Sequence, residues 1–166
     1  PVGAAHLWKE EFGCRLFLHA LDREQVEAGN SVKTSAALLY GTQSVPCLVD
    51  GLIAEGDAWE GEGFTVEALY TPGHTMGSVS FEVTAGDYRL LIAGDAVWGG
   101  FSEKIGSSEE AWRETLDKIT SRHYDFYTFG HVNPQLIADA DERLKEAKMA
   151  FGNYYNPWLK TFFETY

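Results

Sequence analysis

The sequence is poor in cysteine, in basic side chains and in long apolar runs, and each shortage closes off a class of function. Two cysteines in 166 residues, Cys14 and Cys47, form no C-x-x-C pair, so neither a disulfide framework nor a thiolate metal site is expected. Thirteen Lys plus Arg against twenty-five Asp plus Glu leave a formal charge of −12, and that surface field opposes nucleic acid and anionic lipid. No stretch approaches eighteen uninterrupted apolar residues, and the first twenty carry Lys9, Glu10, Glu11 and Arg15, which predicts neither a membrane span nor a signal peptide. The default compartment is therefore the cytoplasm. Apolar side chains are abundant instead: 45% of the chain, with five Trp, eight Tyr and ten Phe, enough for a packed core.

Apolar spacing predicts interleaved strands and helices, hence an α/β class without internal repeats. A helix is expected over residues 4–12, where Ala4, Ala5, Trp8 and Phe12 recur at helical spacing, and a short strand over 14–19. Residues 22–45 read as one short helix and a connecting loop. From Leu48 the glycines Gly61 and Gly63 punctuate a hairpin that leads into an alternating strand ending at Tyr70. Residues 78–83 alternate again. Residues 88–93 form a nearly continuous apolar run, as for a strand buried on both faces. Ser107 with Glu110 reads as a capping box for a helix over 108–121, and 126–129 as another strand. Asn133 and Pro134 read as N-cap and first turn of a helix that carries Leu136, Ala140, Leu144, Ala147 and Phe151 on one stripe; residues 154–166 read as helical packing material.

Three places share one pattern: a strand ends, a glycine follows, then a side chain able to bind metal. They are Gly73-His74, Gly94-Asp95 and Gly130-His131, separated by 21 and 36 positions. Strand ends on one edge of a sheet converge, so the three can meet around one ion, and two imidazoles with a carboxylate make a partial zinc-type shell. Each also has an ordinary reading: His74 as a turn residue, Asp95 as a residue bonding its own backbone, His131 as a helix cap.

The string Thr71-Pro72-Gly73-His74-Thr75-Met76-Gly77-Ser78 closely resembles the third motif, T-P-G-H-T-x-G-S, of the metallo-β-lactamase fold superfamily. Residues 88–95 resemble the next motif, Gly130-His131 the last, and residues 50–70 the hairpin and strand that precede the third; the likeness spans roughly residues 1–150. It implies an αββα sandwich, of the α/β or four-layer α+β class, of which residues 1–166 are one N-terminally incomplete domain, about the C-terminal two-thirds. It further implies His74 as a ligand of a first metal, Asp95 as a bridging carboxylate with a catalytic role, and His131 as a ligand of a second metal. Relatives open on H-x-H-x-D-H before a small-residue helix, whereas this sequence has no H-x-H and Pro1 stands at or just after the motif's last His. His6 reads as a packing or surface residue.

The resemblance thus implies a zinc-dependent hydrolase, with one or two ions and one favoured, acting through metal-bound hydroxide. The expected substrate is a small ester, lactone, thioester, amide or activated aryl halide, and Trp98 and Phe101 are candidate walls of its pocket. The expected partners are that substrate and an upstream segment of the same protein that completes the shell; a homodimer stays open, and neither nucleic acid nor membrane is expected. Two other outcomes remain for this fold, an iron-bearing oxidoreductase and a binding module with a degenerate metal site.

Overall fold

The computed structural model describes residues 3–130 and 135–153. Its centre is a six-stranded sheet. The strands are β3 (Ala58–Gly61), β4 (Phe64–Tyr70), β5 (Val79–Ala85), β6 (Tyr88–Ile92), β7 (Phe126–Thr128) and β8 (Ile137–Ala138), side by side in sequence order. Neighbours are antiparallel except β6 and β7, which run parallel across a long helical connection. Two reversals between β4 and β6 leave β4, β6 and β7 pointing the same way. Their C-terminal ends therefore share one edge, and the segments that lead to Gly73, Gly94 and Gly130 begin there.

Preceding the sheet are α1 (Ala5–Phe12), α2 (Ala20–Glu27), α3 (Ala36–Tyr40) and a two-stranded parallel pair, β1 (Phe17–Leu18) with β2 (Gly51–Leu52). A small cluster of Val26, Cys47 and Val49 holds this part together. The strand expected over 14–19 shrinks to two residues, since it pairs with β2 at only two positions. The single helix expected within 22–45 is two helices. Between them the Asn30 carboxamide oxygen accepts from the Val32 and Lys33 amides, and that side-chain turn ends helical hydrogen bonding.

One face of the sheet is covered, and the other is partly exposed among the described residues. Leu69, Leu91 and Tyr127 point toward α5 (Glu109–Thr120) and α6 (Ala140–Asn153), where Trp112, Leu116, Ile119, Ala140 and Leu144 complete the main core. Ala140, Leu144, Ala147 and Phe151 keep the expected stripe on α6. That helix starts at Ala140 rather than at Pro134, because Ile137 and Ala138 hydrogen-bond to β7 as an edge strand, and Leu136 stays exposed. The cap expected at Asn133 and the tail 154–166 lie outside the described residues. On the other face the register aligns Trp59, Val66, Val83 and Leu90 in one row and Phe81 with Ile92 in the next. Trp59 is 42% exposed, Phe64 45%, Tyr88 61% and Ile92 36%, so β6 is not buried on both faces as its composition predicts. An apolar face of this kind is what the inner side of one sheet in an αββα sandwich presents.

The connection between α5 and β7 is fastened to the start of α6 by His123. Its Nδ1 lies 2.6 Å from Asp141 Oδ2, while Asp141 Oδ1 accepts from the Tyr124 amide at 2.8 Å. The hydrogen bond and charge of Asp141 raise the His123 pKa above 6.5. Burial works to raise the Asp141 pKa, but the bonds from His123 and Tyr124 outweigh it and hold it below 3.8. The His123 contribution is then fully present below pH 6.5 and lost as pH rises through its raised value, and that of Asp141 is present above 3.8 and lost as pH falls. Wild type should therefore exceed His123→Ala in Tm near pH 5.5, with the difference shrinking in steps to pH 9; a pH-independent difference would contradict the clasp.

Candidate metal centre

The loop between β4 and β5 is fixed before any ligand is considered. Gly73 has φ +145, and a Cβ there would stand 2.5 Å from Trp112 Cβ and 2.6 Å from its Cα. Only glycine lets the backbone lie flat on α5. From that contact α5 and the two serines before it hold three successive carbonyls. The Thr115 hydroxyl donates to Pro72 O at 2.7 Å, the Ser108 amide to Gly73 O at 2.9 Å, and the Ser107 hydroxyl to His74 O at 2.6 Å. Ser107 is thus a loop anchor and not the cap: the cap of α5 is Ser108, whose hydroxyl accepts from the Ala111 amide.

His74 is turned toward the second strand end. Its Nδ1 lies 2.6 Å from Gly100 O, its ring meets Trp112 edge to face at 5.9 Å, and its Nε2 lies 3.2 Å from Asp95 Oδ2. A carbonyl can only accept, so Nδ1 carries a proton there, and in the neutral ring Nε2 is left with its lone pair. Asp95 starts α4 (Asp95–Trp98) directly after Gly94, whose φ +53 and ψ −129 suit glycine alone. The strand ends are tied by one buried thread: Thr71 Oγ1 to Ser80 Oγ at 2.9 Å, and the Ser80 hydroxyl to Ala93 O at 3.0 Å. The third strand end is also close. The Gly130 amide donates to Gly94 O at 3.4 Å, and a Cβ on Gly130 would be 3.7 Å from Asp95 Oδ1. His131, the next residue, lies outside the described residues.

The structure therefore brings together His74 and Asp95, with the chain that leads into His131 passing beside Asp95. Their chemistry fits zinc. A nitrogen lone pair and a carboxylate oxygen facing each other repel unless a proton or cation lies between them, and two ligands of tetrahedral zinc at about 2.0 Å stand roughly 3.3 Å apart. Among the described residues no group of three His, Cys, Asp or Glu encloses a metal position. Phe101 packs half-buried against the main core, and of Trp98 only the backbone is described. Sequence pattern alone does not reveal the residues that hold His74 and Asp95. Gly100 acts through its carbonyl, which no side-chain pattern reveals, and Trp112 and Thr115 are hidden within an ordinary amphipathic stripe. The adjacent serines 107 and 108 were the available signal, since one helix needs one cap.

Substituting Gly73→Ala combines a backbone strain of about 1–3 kcal/mol with overpacking against Trp112 of about 1–3 kcal/mol. The expected outcome is a urea midpoint lowered by the equivalent of about 2–6 kcal/mol, whereas Gly86→Ala, whose Cβ would meet nothing within 4 Å at φ +59, should show the backbone term alone. Equal losses in the two variants would contradict the close approach at Trp112.

Comparison with known proteins agrees with this edge. The family model described as "metallo-beta-lactamase superfamily" matches residues 2–131. A probable metallo-hydrolase of Bacillus subtilis, YqgX, is 32% identical over 136 residues, covering 78% of this chain and 62% of its own. An uncharacterized protein of Mycobacterium tuberculosis is 28% identical over 129 residues, covering 69% and 58%. The chain thus spans about 60% of the length of these curated relatives. Among solved structures, the FEZ-1 metallo-β-lactamase of Legionella gormanii superposes with TM-score 0.72 at 18% identity, over 95% of this chain and 71% of that one. The class B3 di-zinc metallo-β-lactamase LRA-12 from an Alaskan soil metagenome gives 0.67 at 24% identity, over 93% and 69%. Shared architecture and a family match across most of the sequence lead to one statement: this chain belongs to the metallo-β-lactamase superfamily, and its sheet is part of that family's sandwich.

Proposed function

We propose that this chain carries part of the metal centre of a zinc-dependent hydrolase acting on a small ester, lactone, thioester, amide or activated aryl halide. The observation that carries the reading is the pairing of His74 Nε2 with Asp95 Oδ2 at 3.2 Å while Nδ1 is committed to the Gly100 carbonyl. His74 and Asp95 hold the ion from this side and His131 is the third donor. When bound, zinc supplies Lewis acidity that brings the pKa of water toward neutrality and stabilises developing oxyanion charge. The Asp95 carboxylate accepts a hydrogen bond from the attacking water and orients it. Remaining donors come from polypeptide upstream of residue 1, which also covers the exposed face of Trp59, Phe64 and Ile92. A single ion is favoured, since the two described donors converge on one point.

Residues 98–101 form a wall of the substrate site, because the carbonyl that orients His74 belongs to Gly100 and Phe101 follows it. The charge of −12 favours neutral or cationic small molecules over polyanions. No helix among the described residues is long and apolar enough to cross a membrane, so nothing in them adds a bilayer to the reading.

Elemental analysis of the full-length protein tests this. About one zinc per chain is expected, with the affinity reduced in His74→Ala and Asp95→Ala by more than the roughly 10- to 100-fold typical of outer-shell changes. Iron in place of zinc, or zinc retained in both variants, would overturn it.

A further inference from the structure

The loop that carries His74 is gripped from a second side by α2, at a residue outside the metal edge. The Thr75 hydroxyl donates to Asp22 Oδ2 at 2.6 Å, across 53 positions of sequence, and the Gln25 side-chain amide donates to Asp22 Oδ1 at 2.7 Å. The same Thr75 oxygen lies 2.9 Å from Ser78 Oγ, and the Thr75 amide donates to Ser78 Oγ at 3.1 Å. An ionised carboxylate only accepts, so Asp22 dictates the direction of every bond in this set. Thr75 gives its hydroxyl proton to Asp22, must then accept from the Ser78 hydroxyl, and Ser78 in turn accepts the Thr75 amide. The carboxylate also packs on the loop itself: a Cβ on Gly77 would stand 2.4 Å from Asp22 Cγ. Beside it the ring of His19, the cap of α2, stacks on Tyr70 at 4.5 Å, and the Tyr70 hydroxyl donates to Met76 O at 2.8 Å. Hence α2 braces residues 70 and 75–78, on either side of His74.

We propose that Asp22 is a positioning residue for the metal ligand His74: through the Thr75 hydroxyl it holds the turn at the setting that brings His74 Nε2 to Asp95 Oδ2. This rests on the reading of that edge as a metal centre. Asp22 is one bond removed from the residue next to the ligand, on an element separate from α5, so the ligand is set between two independent supports. Outer-shell groups of this sort typically change metal affinity about 10- to 100-fold.

Cobalt(II) titration of the full-length protein, followed by visible absorption, reads the effect, and the Tm of the metal-free protein is measured alongside. Asp22→Ala and Thr75→Val should each weaken cobalt binding about 10- to 100-fold, the double variant should be no weaker than the worse single one, and Thr75→Ser should bind within about twofold of wild type. Thr75→Val changes no charge, so an equal loss there separates positioning from simple removal of a negative charge. Should Asp22→Ala fail to fold, the Thr75→Val and Thr75→Ser pair tests the same bond from its other end. Unchanged cobalt affinity with a lowered metal-free Tm would overturn the positioning role and leave the metal centre standing. A wild-type protein that takes up no cobalt would overturn both.

Discussion

The edge that carries His74 and Asp95 depends on how closely one stretch of backbone can lie on one helix. At Gly73 the chain touches the Cα and Cβ of Trp112, and that contact brings three loop carbonyls within reach of Ser107, the Ser108 amide and Thr115. A loop held by its carbonyls cannot rotate about its own axis, so the direction in which His74 leaves it is fixed. The Gly100 carbonyl then fixes the ring itself. Trp112 belongs at once to the main core and to this support, with its indole N–H bonded to Ala96 O one residue past Asp95. Packing of α5 against the sheet and presentation of His74 and Asp95 are therefore one event, and a loss of core order would be a loss of the candidate site.

How much of this was legible in the sequence follows from range. Features set by short-range periodicity could be read: the hairpin turned at Gly63, the alternation of β4 and β5, the stripe of α5, and the Gly-His and Gly-Asp pairs that follow β4 and β6. Features set by distant partners could not. Ser107 carries the capping-box pattern with Glu110, yet its hydroxyl serves the His74 carbonyl and Ser108 caps α5 instead. Residues 137 and 138 read as helix because nothing local shows that β7 has an unpaired edge for them to join. Asp22 carries no local signal of its role, since its partner lies 53 positions away. The candidate residues stand out because chemistry restricts residue type; their supports do not, because a hydroxyl or carbonyl is available almost anywhere.

The run over residues 88–93 predicts burial on both faces because composition reports what a strand is suited to face, whatever covers it, whereas Tyr88 and Ile92 stay exposed. In this chain the face opposite α5 and α6 is half open. A sheet of this family shares its inner face with a second sheet, and the curated relatives are longer than the part matched here. On the proposed reading, the polypeptide that covers this face also brings the remaining donors, so that burial of the sheet and completion of the metal shell occur together.

The central claim is that one ion is shared by His74 and Asp95. Anomalous diffraction at the zinc edge, from crystals of the full-length protein, tests it most directly. The expected result is a peak about 2.0–2.2 Å from both His74 Nε2 and Asp95 Oδ2, with Nδ1 still on the Gly100 carbonyl. A zinc peak held by other residues, or none at this edge after zinc soaking, would contradict it.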